Sequence, residues 1–112
     1  LRVQHDTFEA SSLASGSDIS VARLPKGAKV YDIVVHFDAL GSSSTIKVGD
    51  SADDDRYIAA TSTASAGQMS MHQEGAIDGF AFEQTAETDI LLTTGGASIT
   101  GTIKCAVFYV VE

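Results

Sequence analysis

Apolar and polar residues alternate along much of this chain with a period of two, and the longest such run closes it. Ile99, Gly101, Ile103, Cys105, Val107, Tyr109 and Val111 alternate there with Thr100, Thr102, Lys104, Ala106, Phe108 and Val110. A period of two sends successive side chains to opposite faces, so this run predicts a strand. Its second half is apolar on both parities, which predicts a strand that starts with one wet face and ends covered on both. A second run, residues 29–39, sets Tyr31, Ile33, Val35 and Phe37 toward a core and leaves Val30, Asp32, Val34, His36 and Asp38 half wet.

Weaker segments fill the rest. Residues 1–8 lack Gly and Pro and read as an edge strand or arm, residues 11–17 as a flexible loop, and residues 18–24 as a strand with Ile19 and Val21 on one face. Pro25 presets its φ and Gly27 accepts a positive one, so residues 24–28 form a tight turn. Residues 45–49 predict a short strand with Ile46 and Val48 inward, residues 56–60 a strand or one helical turn, and residues 68–72 a strand alternating Met69 and Met71 with Ser70 and His72. Phe80 and Phe82 share a parity, and residues 89–94 lead through Gly95-Gly96, a hairpin signal, into the last strand. No long stretch has helical periodicity. Roughly eight short strands with turn signals about every ten residues predict an all-β chain, an antiparallel β-sandwich of jelly-roll type. Residues 1–10 form its N-terminal arm or edge strand and residues 11–112 a single sandwich domain, with Ile33, Val35, Phe37, Ile46, Val48, Phe80, Phe82, Leu91, Ile103 and Val107 as the expected core.

Charge narrows the function classes. Fifteen acidic against seven basic residues give a formal charge of -8, which repels nucleic-acid phosphates and anionic lipid headgroups. Direct nucleic-acid binding and membrane association are therefore not expected. No apolar stretch approaches the roughly 20 residues of a spanning helix, and no basic-then-apolar leader opens the chain, so a soluble protein made in a cytosol is expected. Leu1 in place of Met fits a removed start residue or leader, or a start inside a longer protein. Cys105 is the sole cysteine, so no intrachain disulfide forms. Without Asn there is no N-glycan acceptor, and without Trp the largest sugar-stacking surface is missing.

Candidate chemistry is sparse. Asp50, Asp53, Asp54 and Asp55 offer oxygens that suit calcium, but the spacing fits no known calcium loop, and the expectation is a solvated turn with one aspartate paired to Arg56 and another capping the next segment. His5, His36 and His72 are too far apart in sequence to read as a zinc set. Cys105 shares a parity with Ile103 and Val107 and reads as an inert buried thiol. No serine sits in a Gly-x-Ser-x-Gly elbow. Glu74, Asp78 and Glu83 invite a two-carboxylate hydrolase reading, yet no aromatic-lined cleft accompanies them. Tyr57 either packs over a strand end or stacks on a sugar from an exposed loop. No catalytic residue, cofactor or metal is assigned, and the chain reads as a non-enzyme.

At Leu24-Pro25-Lys26-Gly27-Ala28-Lys29-Val30 and on through Asp38-Ala39-Leu40-Gly41 the sequence resembles small virion proteins of tailed bacteriophages. The similarity continues at Ile46-Lys47-Val48-Gly49-Asp50, at Asp54-Asp55-Arg56-Tyr57-Ile58-Ala59-Ala60-Thr61, and at Thr88-Asp89-Ile90-Leu91-Leu92-Thr93-Thr94-Gly95-Gly96. It is a pattern of strands and turns covering most of the chain after about Asp18, with no catalytic signature. It implies a capsid decoration (cement) or head-fibre protein: a β-sandwich, commonly a homotrimer, on the outer face of a capsid assembled in the host cytoplasm, clamping neighbouring major capsid protein subunits. On that reading Leu1, Arg2, Val3, His5 and Phe8 add a strand to a neighbour, and Arg2, Arg23, Lys26 and Lys29 face the capsid protein. The acidic stretches around Asp53 and Glu74 face solvent. The competing expectations are a tail or fibre subunit and a carbohydrate-binding sandwich module.

Overall fold

A computed structural model of the chain describes residues 1–74 and 79–111. Eight strands carry the fold: β1 (Arg2–Leu13), β2 (Asp18–Leu24), β3 (Ala28–Phe37), β4 (Thr45–Gly49), β5 (Ile58–Ser62), β6 (Gly67–Ser70), β7 (Thr88–Gly95) and β8 (Ile99–Val111), with one helical turn, α1 (Met71–Glu74). They pair antiparallel in two four-stranded sheets of order β1-β8-β3-β6 and β2-β7-β4-β5. Only β4 and β5 are both consecutive and adjacent; every other connection crosses between the sheets. This is the strand order of a jelly roll, as the pattern of short alternating segments predicts.

Alternation explains which side of each strand meets the core. In β8, Ile99, Ile103, Cys105, Val107 and Tyr109 are buried while Lys104 is exposed. Ile33, Val35 and Phe37 of β3 and Ile46 and Val48 of β4 meet them from the two sheets. Ile19 and Val21 of β2 are buried as expected.

Several expectations are corrected, each for a local reason. The β3–β8 register shifts between Val30 and Asp32, so Tyr31 occupies a bulge. A bulge moves every residue on its far side to the other face. Val30 is consequently buried and Tyr31 leaves the core half-buried. In β7 the inward parity belongs to Ile90, Leu92 and Thr94, which turns Leu91 outward. Phe80 and Phe82 lie outside any strand, Phe80 exposed and Phe82 half-buried. β1 runs on to Leu13 because Ser12 takes a positive φ of 49° where the ladder shifts. Gly95-Gly96 makes no hairpin, since β7 and β8 belong to different sheets. Gly96 has φ 78°, and a Cβ there would fall 2.0 Å from the Ser43 carbonyl oxygen. The turn therefore needs glycine, but for a close crossing between sheets.

The connections gather at two ends of opposite character. One end holds the β2–β3 turn, residues 50–57, residues 79–87 and the start of β1. The other holds residues 14–17, 38–44, 63–66 and 96–98, where Asp38 is the only charged residue. Hydrogen bonds knit this second end: Leu40 N donates to Thr63 O at 2.9 Å, Thr63 N to Ser44 O at 2.9 Å, and Gly16 N to Thr94 O at 2.8 Å. The Ser44 and Thr63 hydroxyls, both buried, meet at 2.7 Å.

Candidate functional site

At the charged end a buried polar network fixes three loops to one another. The Asp50 carboxylate, only 2% exposed, accepts from Arg56 Nε at 2.8 Å and from Gln84 Nε2 at 3.0 Å, and from the backbone N–H groups of Ala52 and Asp53. Gln84 Nε2 also donates to the Tyr57 hydroxyl at 2.7 Å, and the Arg56 guanidinium lies 3.8 Å above the Phe82 ring. The Gln84 backbone pairs with Gly27 N and Ala28 O, which ties the network to the β2–β3 turn. Burial by itself raises the Asp50 carboxyl, but the hydrogen bonds from Gln84, Arg56 and the backbone outweigh it and hold the group below the usual carboxylate value. Burial pushes the Tyr57 hydroxyl up to about 12. Tyr57 is thus a wholly buried network member and presents no sugar-stacking surface.

The remaining aspartates of this loop stay outside. One oxygen from each of Asp53, Asp54 and Asp55 lies within 4.8 Å of the others, and Lys47 Nζ sits 2.9 Å from Asp54. Asp53, by hydrogen bond and by charge, raises the Asp55 carboxyl. The expected pairing of one aspartate with Arg56 is present, but that aspartate, Asp50, is buried and drawn away from the cluster.

Leu1, Arg2, Val3, Arg23, Lys26 and Lys29 come together at the charged end, because the start of β1, the end of β2 and the start of β3 meet there. Phe8 lies mid-strand and packs on the core, while His5 is exposed on the outer face of its sheet. β1 is an edge strand already paired along one side with β8. Its Gln4 side chain closes the gap to β2, donating to Arg23 O at 2.7 Å and accepting from Arg23 N at 3.0 Å. Arg23 bridges Glu87 at 2.7 Å and Asp89 at 2.8 Å, and Lys29 lies 3.8 Å from Glu83. Arg2 and Lys26 have no carboxylate partner among the described residues. Basic and acidic side chains therefore share this end and do not segregate to opposite sides.

His5, His36 and His72 are exposed and lie on or beside the outer face of one sheet. The His72 Nε2 is 4.0 Å from Asp32 Oδ2. Cys105 is buried, and burial raises its thiol to about 12, so it is not a thiolate nucleophile. Glu83 faces Lys29, whereas the side chain of Glu74 and all of Asp78 lie outside the described residues.

Sequence reasoning missed the outer face of the β1-β8-β3-β6 sheet. Register places Val3 beside Phe108 beside Asp32, and His5 beside Ala106 beside Val34. Ala106, Phe108 and Val110 are half-buried there, where a covering layer was expected. A depression of about 340 Å³ lies between Val34, Ala106 and Phe108, walled by His5, His36 and Lys104. The apolar second parity of β8 was the signal for this surface.

No protein-family model matches the chain, and no curated protein matches its sequence. Chains of solved structures match its fold, among them the following three. A chain of the cyanophage Pam1 capsid asymmetric unit superposes with a TM-score of 0.78 at 22% identity, covering 99% of this chain and 84% of that one. A chain of the capsid of Ralstonia phage GP4 gives 0.75 at 18% identity, covering 99% and 85%. A chain of the acid-stable capsid of Helicobacter pylori bacteriophage KHP30 gives 0.62 at 13% identity, covering 99% and 93%.

Proposed function

We propose that this chain is a non-enzymatic structural protein of a tailed-phage virion that decorates the capsid and holds neighbouring major capsid protein subunits together. The observation that carries this reading is the end-to-end match of its jelly roll to chains of three different phage capsids. Those chains are only slightly longer than this one, so the likeness is to whole small subunits and not to a domain within a large one. A head location is favoured over a tail or fibre because all three neighbours come from capsids. The internal chemistry suits a scaffold: the buried ionic network locks loops, and the lone thiol is inert.

In this role the chain sits on the outer capsid surface after assembly in the host cytoplasm, as a homotrimer, and does not contact nucleic acid directly. Its charge of -8 supports that last point. The docking end is the one bearing Leu1, Arg2, Val3, Arg23, Lys26 and Lys29, with His5 and Phe8 along the same strand. Arg2 and Lys26 are the cations there that no described carboxylate already holds. Many copies on a symmetric shell make modest individual contacts sufficient. Because β1 is integral to the sheet, the test is substitution and not deletion. Purified chain mixed with heads assembled without it is expected to co-sediment saturably, and Arg2→Glu with Lys26→Glu to bind about tenfold or more weakly. Wild-type chain left in the supernatant would overturn the proposal.

A further inference from the structure

We propose that Asp32, Tyr31, His72 and Phe80 form a recognition site for an arginine side chain of a partner protein. The site is separate from Arg2 and Lys26, and the inference stands whether or not the chain decorates a capsid. It begins at the β3 bulge. Where the register with β8 shifts between Val30 and Asp32, two consecutive side chains, Tyr31 and Asp32, are both half-buried between fully buried Val30 and Ile33. A regular strand would send one of the two inward. The bulge therefore leaves an aromatic ring and the carboxylate next to it out of the core.

Two further elements close on this point. Ala81 N donates to Val30 O at 2.8 Å, which pins residues 79–82 against the bulge, and Ala81 takes a φ of 58° there. A non-glycine residue keeps that left-handed conformation only where its surroundings hold it. Phe80, the residue before it, stays 48% exposed and meets Tyr31 edge-on at 5.5 Å. α1 brings His72, whose ring lies 5.8 Å from Phe80 and whose Nε2 lies 4.0 Å from Asp32 Oδ2. One histidine thus joins the aromatic pair to the carboxylate.

The carboxylate is short of a partner. Asp32 Oδ1 is buried yet accepts no hydrogen bond among the described residues, and no described lysine or arginine bridges Asp32. Lys29, three residues earlier on the same strand, lies against Glu83 instead. A buried acceptor left unpaired is costly, and a cation that reaches it removes the cost. The rings beside it select which cation. Guanidinium is planar, more weakly hydrated than ammonium, donates to a carboxylate through parallel N–H groups and stacks on aromatic faces. The molecule already makes this combination internally: Arg56 donates to Asp50 at 2.8 Å and lies 3.8 Å above the Phe82 ring. Asp32 and Phe80 offer the same carboxylate and ring at the surface, with no described arginine of this chain between them. The net charge of -8 further favours a basic partner.

Nuclear magnetic resonance of the isotopically labelled full chain, titrated with Nα-acetyl-arginine amide into the millimolar range at neutral pH, tests this. Saturable shifts are expected at the backbone amides of Tyr31, Asp32 and Phe80. The lysine amide is expected to bind about threefold more weakly, and the citrulline amide, which keeps the shape without the charge, about tenfold more weakly. Asp32→Asn and, separately, Phe80→Ser are each expected to weaken arginine binding about tenfold. Thermal melts check that each variant is folded, and should Asp32→Asn not fold, the exposed Phe80→Ser decides alone. No saturable shift at these residues, or shifts confined to Asp53, Asp54 and Asp55, would overturn the proposal. So would folded variants that bind as wild type does, or lysine or citrulline amide binding as tightly as arginine. Phage heads take no part in this experiment, so its failure leaves the decoration reading intact.

Discussion

Asp50 shows how one side chain sets the character of a whole end of the molecule. It faces Arg56, which is 13% exposed, and removing one partner of so buried a pair leaves the other charge uncompensated. Asp50→Asn is therefore expected to cost about 3 kcal/mol of stability at neutral pH. Because the folded-state carboxyl titrates below its ordinary value, its stabilisation is present above the ordinary carboxylate range and is lost as pH falls through the folded value. The gap between wild type and Asp50→Asn in urea denaturation should accordingly be full near about pH 7 and close toward about pH 3. A gap that does not change with pH would remove the carboxylate from the explanation. Cys105 makes a second residue-scale prediction: at 5% exposure and with a thiol raised to about 12, it should react with a disulfide reagent only as fast as the chain unfolds. Labelling at the rate of a free thiol in the native state would contradict its placement. The buried cysteine is legible from its parity in the last strand. Asp50 is not, because Gln84 reaches it from 34 residues away and only the fold brings the two together.

Among the elements, β8 and β4 follow their sequence periods and were readable from them, whereas β2 keeps its period only to Val21, where its register with β7 shifts and Ala22 and Leu24 take over the buried side. Misplaced residues arise where the period breaks. Tyr31 is the extra residue of a bulge, and no local pattern marks which residue of an apolar run will bulge. Leu91 sits within Ile90-Leu91-Leu92, where adjacent apolar residues leave the parity open until β2 and β4 pair on either side. Phe80 and Phe82 look like alternate strand residues but lie in a loop, where Phe82 packs under Arg56 and Phe80 turns to the surface. Gly95-Gly96 is a turn in either reading, and local sequence does not say whether the strands it joins share a sheet. Gly96→Ala tests the crossing: with φ at 78° and Ser43 O at 2.0 Å from the new Cβ, it should cost about 2–3 kcal/mol and lower the Tm by roughly 10 °C. Gly16→Ala, at φ 86° with no atom within 4 Å, should cost only about 1 kcal/mol. Equal losses at the two positions would mean that the close approach is unimportant.

At the scale of the whole molecule the jelly roll has two unlike ends and two unlike faces. One end is held by ion pairs and a buried polar network, the other by backbone and hydroxyl hydrogen bonds among small residues. The outer side of the β1-β8-β3-β6 sheet sets half-buried Val34, Ala106, Phe108 and Val110 among exposed His5, Glu9, His36 and Lys104, and that of the other sheet is mostly polar. Fold class was legible because many short alternating segments admit few architectures. The outer face was legible only as apolar residues in excess of what one core needs. Cryo-electron microscopy of phage heads assembled with and without the chain tests the proposed role most directly. The account predicts an added jelly-roll density on the outer shell, bridging capsid subunits, in the heads that contain it. Identical shells in the two preparations, or the chain found in the tail alone, would contradict it.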